Sequence, residues 1–320
     1  MSAGAPADSA ARPRSVAVRV PATSANLGPG FDTLGLALSV YDELVVTERP
    51  AGELVIEVEG EGQGAVPLDD SHLVVRAMMH AYASVGRELP GIHIRAHNRI
   101  PHGRGMGSSA AAVVAGLRAA QGLLDGEVVF SDDELLRLAT DLEGHPDNAA
   151  PALSGGLTIA WTTPEGPRSK KLLLHRGVSP LVLVPDFQVS TSLARSLQGP
   201  QVAREDAVFN VSRSALLIVA LTQSPELLLQ ATEDKLHQDV RAQAMPRTAE
   251  VVRALRAEGH PAVVSGAGPS VLVLSDGPAG RLDAIELVER TSNTPWQPLV
   301  LAVDVRGATV RNYTEGSTLA

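Results

Sequence analysis

Between Pro101 and Ala111 the chain reads Pro-His-Gly-Arg-Gly-Met-Gly-Ser-Ser-Ala-Ala. Gly103, Gly105 and Gly107 alternate, so the backbone there can curl tightly and approach a ligand closely. The stretch follows a strand and opens an Ala-rich helix. The first turn of that helix offers unpaired N–H groups and the positive end of a dipole. With Ser108 and Ser109 beside it, this is a cradle for an anion, phosphate above all. The plain alternative is a glycine-rich turn capped by serine. The loop is neither Walker A, which needs Gly-Lys-Ser/Thr, nor the G-x-G-x-x-G of a dinucleotide fold. Lysine occurs only at Lys170, Lys171 and Lys235. Charge neutralisation at the loop therefore falls to the helix dipole, to Mg²⁺ and to Arg104. A serine hydroxyl and a carboxylate suit that ion, which usually keeps waters besides.

Two more stretches have unusual composition. Pro21-Ala22-Thr23-Ser24-Ala25-Asn26-Leu27-Gly28-Pro29-Gly30-Phe31-Asp32 is made of small and turn-forming residues, and offers Asn26 and Asp32 to a site. Asn and Asp are also common in ordinary turns. Ser265-Gly266-Ala267-Gly268-Pro269-Ser270 is a tight loop between apolar segments.

The elements that must position these loops follow from pattern. Strands are expected over 15–22, 41–47, 53–59, 92–97, 155–161, 181–184, 262–265, 271–274 and 299–305. Helices are expected over 71–85, 108–124, 204–221, 225–233, 246–258 and 281–290. A further helix opens at Ser131, with Glu134 three residues on as a capping box, and runs to about Glu143. The mixture without strict alternation gives an α+β fold. The polar segment 162–171 carries Pro164, Gly166 and Pro167 and reads as a domain boundary or a long hairpin. The resulting division is a disordered tail over 1–14, an N-terminal domain over 15–165, a C-terminal domain over 166–310, and a tail over 311–320.

Composition sets the outer limits. A chain of 320 residues is long enough for two cores. The hydrophobic fraction is 44% with only 3% aromatic, so Val, Leu, Ile and Ala must build those cores. A net charge of −9 argues against a nucleic-acid partner. There is no cysteine, which excludes disulfides, thiolate metal sites and cysteine nucleophiles. No stretch is long and apolar enough to span a bilayer, and the first residues lack a signal-peptide core, so a cytoplasmic protein with no membrane partner is expected.

The three loops, in this order, resemble the three signature motifs of the GHMP kinase superfamily. The resemblance runs from about Val16 to Val305. It implies a two-domain fold, with an S5-like N-terminal domain and an α/β-sandwich C-terminal domain, and a cleft between them for ATP and a small-molecule substrate. It implies nucleotide contacts from Pro101, Gly103, Arg104, Gly105, Met106, Gly107, Ser108, Ser109 and Ala110, and from Gly266 and Gly268.

Three further stretches resemble the homoserine kinases within that superfamily: Glu143-Gly144-His145-Pro146-Asp147-Asn148-Ala149-Ala150-Pro151, Ser190-Thr191-Ser192-Leu193-Ala194-Arg195, and Leu236-His237-Gln238-Asp239-Val240-Arg241. By that resemblance Asn26, Asp32, His145, Asp147, Asn148, Thr191, Arg195 and Arg241 line an amino-acid site, and Ser109 and Glu143 hold Mg²⁺. It also implies a homodimer and a place in threonine biosynthesis.

The chemistry is consistent with this. A zwitterionic amino acid needs an arginine fork for its carboxylate and a carboxylate, Asp32, for its ammonium. With no lysine in the first half, an Asp–Lys pair on the reacting hydroxyl cannot form there, so Asn148 and Asp147 are expected to orient it and Arg195 to assist. One departure from the family pattern is His72, where many homoserine kinases carry an Asn that touches adenine. Mevalonate- or sugar-type phosphorylation, and a catalytically inactive metabolite sensor, are the alternative functions.

Overall fold

A computed structural model describes residues 13–314. The chain runs β1 (Ser15–Ala25), β2 (Leu34–Arg49), β3 (Leu54–Gly60), α1 (Leu73–Ser84), β4 (Gly91–Asn98), α2 (Ser108–Leu123), α3 (Asp132–Glu143), α4 (Pro146–Ser154), β5 (Leu157–Thr163) and β6 (Gly166–Leu172). It continues through β7 (Val178–Pro185), α5 (Thr191–Ser196), α6 (Arg204–Thr222), a short 3₁₀ turn and α7 (Leu228–Ala231), α8 (Gln238–Arg241), α9 (Pro246–Ala257), β8 (Ala262–Val264), β9 (Val271–Asp276), α10 (Pro278–Thr291), β10 (Trp296–Val300) and β11 (Thr309–Asn312). No helix among the described residues is long and apolar enough to cross a membrane.

Two sheets carry the fold. The first has seven strands, in the order β11-β1-β2-β4-β3, with β5 and β6 joined through the opening residues of β2. The second is β10-β7-β9-β8. β3 follows β2 in sequence but pairs in parallel with β4, so the Pro50-Ala51-Gly52 turn does not close a hairpin. β7 shows why Leu181-Val182-Leu183-Val184 reads as an unbroken apolar run. Side chains alternate across a strand: Val182 and Val184 join the larger core, while Leu181 and Leu183 join the smaller core with α9 and α10. Both faces are buried, so the polar alternation disappears.

α2 explains how a chain so poor in aromatics packs tightly. Its Ala, Val and Gly residues are buried around most of the helix. A Cβ at Gly116 would lie 2.4 Å from the Val74 carbonyl of α1. α3 opens as expected, with the Ser131 hydroxyl accepting from the Glu134 amide in a complete capping box.

Of the two readings of segment 162–171, the long hairpin is the one observed: β5 and β6 pair within one sheet, and the chain passes to the second sheet only at β7. Two expectations at the ends of the chain are corrected. Residues 311–312, expected in a tail, pair with β1 and complete the edge of the first sheet. Arg14, expected in the other tail, donates to the Leu123 carbonyl at 2.7 Å and pairs with Glu127 at 2.7 Å. The rest of those tails, 1–12 and 315–320, lies outside the described residues.

Candidate active site

The phosphate loop is locked by its neighbours. Gly103, Gly105 and Gly107 all sit in the left-handed region. Gly107 occupies the N-cap of α2 with no side-chain cap, which leaves the first amides of the helix to a ligand. Thr23 donates its amide to the Met106 carbonyl at 3.0 Å, and the Ser265 hydroxyl donates to the Gly105 carbonyl at 2.7 Å. All three sequence loops therefore meet at one place. A Cβ at Gly107 would fall 1.9 Å from Thr23 Oγ1, and the residue's φ is +69°. Gly107→Ala should thus raise the ATP KM at least tenfold, since a strained left-handed residue alone costs about 1–3 kcal/mol. Steady-state kinetics at saturating acceptor substrate checks this.

Two cavities adjoin the loop. The first, of about 330 Å³, is mainly apolar, with Leu44, Val66, Pro67, Val74 and Ala96 among its walls. The second, of about 240 Å³, is much the more polar of the two, and gathers Asn26, Glu143, His145, Asp147, Asn148 and Arg241 around the loop. Gly103, Ser108 and Ser109 line both. A flat apolar group can thus lie on one side of the α2 N-terminus, a small polar molecule on the other, and phosphates between them.

The polar side is held by short bonds. Ser109 donates its hydroxyl to Glu143 Oε1 at 2.6 Å. Burial pushes the Glu143 carboxyl above its ordinary pKa, against the smaller opposing effect of that bond. Thr23 Oγ1 donates to Asn148 Oδ1 at 2.8 Å, which uses the amide oxygen and leaves Nδ2 as the group Asn148 can present. Asn26 donates to the Gly266 carbonyl at 2.8 Å and accepts from the Asp32 amide at 3.0 Å. His145 Nδ1 lies 3.7 Å from Asp32 Oδ2. Arg241 is 1% exposed, donates to the Gly266 carbonyl at 3.3 Å, and lies 5.2 Å from the Phe31 ring centre.

Not every expected residue reaches these cavities. The Arg104 guanidinium donates to the carbonyls of Pro185, His102 and Asp186, so it ties the loop to the end of β7, and it lines neither cavity. The Met106 side chain is wholly buried in the larger core, and Pro101 borders a different cavity. Gly268 packs against Met245, so it shapes the 265–270 turn from behind. The side chains of Thr191 and Arg195 lie outside the described residues. His72 caps α1, its Nδ1 accepting from the Val74 amide at 3.3 Å, and it borders the apolar cavity. Burial lowers its pKa, and a neutral ring accepting at Nδ1 carries its proton on Nε2.

Comparison with known proteins decides the family. Residues 72–156 match the model for the GHMP kinases N terminal domain, and 217–287 the model for GHMP kinases C terminal. A homoserine kinase of Clavibacter michiganensis is 63% identical over 96% of this chain and 97% of its own length. One from Leifsonia xyli is 64% identical over 94% of each. The chain belongs to the homoserine kinases of the GHMP superfamily. The crystal structure of homoserine kinase from Cytophaga hutchinsonii superposes with a TM-score of 0.81 at 26% identity, covering 93% of this chain and 98% of that one. Mevalonate kinase of L. major, at 18% identity and a TM-score of 0.69, shares the fold.

Within that family frame, sequence reasoning passed over Thr23 and Ser265. Both lie inside loops that had been singled out, but a hydroxyl in a turn carries no pattern of its own. It also passed over α4, which delivers Asp147 and Asn148. Pro151 stands inside that helix and Gly155 closes it, so the segment scores as turn.

Proposed function

We propose that this chain transfers the terminal phosphoryl group of ATP to the hydroxyl of L-homoserine, giving O-phospho-L-homoserine and ADP on the route to threonine. The observation that carries this reading is the polar cavity, where a buried arginine, carboxylates and amides converge on the α2 N-terminus beside an apolar slot. The slot suits the adenine ring, and the amides after Gly107 suit its phosphates. Arg241 is the partner for the substrate carboxylate, with Arg195 as the second fork. Asp32 and His145 hold the ammonium end. Asn148, its oxygen engaged by Thr23, presents Nδ2 to the oxygen of the reacting hydroxyl, and Asp147 beside it is 3.5 Å away. Phosphoryl transfer through a loose transition state asks for this positioning more than for an early base.

The donor set also fits Mg²⁺. Ser109 and Glu143 are hard oxygens in contact with one another, and among the described residues Glu143 meets no Lys or Arg. They would hold the ion, which when bound neutralises phosphate charge.

The ammonium assignment has its own test. The wild-type chain should strongly prefer L-homoserine over 4-hydroxybutyrate, which keeps the carboxylate and hydroxyl but lacks the amine. With Asp32→Asn the homoserine rate should collapse while the 4-hydroxybutyrate rate falls far less, narrowing the preference. Equal loss on both substrates would give Asp32 a structural role instead.

A further inference from the structure

The loop 26–32 holds a costly shape. Asn26, Leu27 and Asp32 are non-glycine residues with φ of 69°, 51° and 53°. Asn and Asp enter that region readily, but a leucine there persists only when its surroundings over-determine it. The surroundings here come from the other half of the chain. His237 Nε2 donates to the Gly28 carbonyl at 2.9 Å. The Pro29 carbonyl accepts from the Ser214 hydroxyl at 2.5 Å and from Asn210 Nδ2 at 3.4 Å. The Phe31 ring stacks on the His237 ring at 4.9 Å.

These donors are themselves fixed. Asp234 Oδ1 accepts from Asn210 Nδ2 at 3.0 Å and from the Leu236 amide at 3.1 Å. Its Oδ2 accepts from the amides of His237 and Gln238 at 3.0 and 2.8 Å. Asn210 Oδ1 closes the set by accepting the Lys235 amide at 2.8 Å. The side chains of Asp234 and His237 are both fully buried. Burial also lowers the His237 pKa, so the ring stays neutral and donates through Nε2 while Nδ1 has no hydrogen-bond partner. The segment they organise, 234–238, leads directly into α8 and Arg241.

From this geometry we infer that Asp234, His237 and Asn210 form a buried clamp that positions the substrate loop, with His237 as the residue that sets it. One network orients Asp32 through the carbonyls of Gly28 and Pro29, and Arg241 through the start of α8. It thereby fixes the spacing between the groups that receive the two charged ends of a zwitterion. Among the described residues, Asn210 and His237 bond to loop 26–32, and with Asp234 they line no wall of the apolar slot. The clamp acts on the amino-acid substrate and leaves the nucleotide alone. This rests on the proposed function, in which Asp32 and Arg241 face the amino acid.

His237→Phe keeps the ring and its stack on Phe31 but removes the Nε2 donor. Loss of placement remote from the reacting atoms can cost on the order of a hundredfold. In His237→Phe, kcat/KM for L-homoserine should therefore fall about tenfold to a hundredfold, with the ATP KM within about twofold of wild type. His237→Gln, which offers a donor again, should recover most of that loss. Hydrogen exchange of the amides in 26–32 should speed up in His237→Phe and not in His237→Gln, whatever the acceptor substrate is.

Wild-type turnover of homoserine tests the functional reading separately, and loop exchange tests the clamp without it. If homoserine and ATP parameters decline together in step with Tm, or loop exchange is unchanged in His237→Phe, the clamp is wrong. Should His237→Phe not fold, Ser214→Ala removes a single bond to the Pro29 carbonyl. It should give the same split at about threefold to tenfold, and no split there overturns the inference.

Discussion

Glu143→Gln is expected to lower kcat by roughly two to three orders of magnitude, the usual cost of removing one preorganised electrostatic group. The carboxyl closes α3 and reaches Ser109 on the first turn of α2, at 2.6 Å. It is half-buried with no arginine or lysine beside it among the described residues, and its pKa is raised as a result. A folded-state pKa above the unfolded one means the ionised group weakens the fold at neutral pH, an effect that fades as pH falls through the folded pKa. The glutamine variant removes that cost and can still accept from Ser109. Its Tm should therefore hold or rise while kcat drops and the dependence on Mg²⁺ changes. Near-normal kcat with unchanged Mg²⁺ dependence would remove Glu143 from the metal site.

Arg241→Ala should reduce kcat/KM for L-homoserine by roughly thirtyfold to several thousandfold, equivalent to about 2–5 kcal/mol for truncating one member of a buried charged pair. The guanidinium is buried between the Gly266 carbonyl and the Phe31 ring and borders the polar cavity. A substrate carboxylate bound there is desolvated and would be stranded by the change. The apolar slot proposed for the nucleotide lies on the other side of Ser108 and Ser109, so the ATP KM should change little. If the ATP KM rises in parallel, Arg241 serves the fold or the nucleotide and not the amino acid.

How far the sequence revealed this architecture depended on how local each cause was. The capping box at Ser131 and Glu134 was legible because both partners lie within one turn. The tight turn of loop 101–107 was legible because its glycines carry the signal themselves. β11 was not, since four mostly exposed residues, Thr309–Asn312, become a strand only by meeting β1, almost three hundred residues earlier. Arg104 looked like a phosphate ligand because charge and loop coincide in sequence. Only the folded chain shows the carbonyls of Pro185 and Asp186, at the end of β7, that accept from it. The convergence of Asn26, His145, Asp147 and Arg241 was legible solely through family resemblance, because no short-range pattern links positions so far apart. The clamp of Asn210, Asp234 and His237 was invisible for the same reason.

The most direct measurement is ADP release, coupled to a reporter, with ATP, Mg²⁺ and each of L-homoserine, mevalonate and galactose as acceptor. The account predicts rapid turnover with L-homoserine alone, and its phosphate ester as the product. Turnover with mevalonate or galactose in its place, or with no acceptor among them and a wider set of amino alcohols, would contradict it.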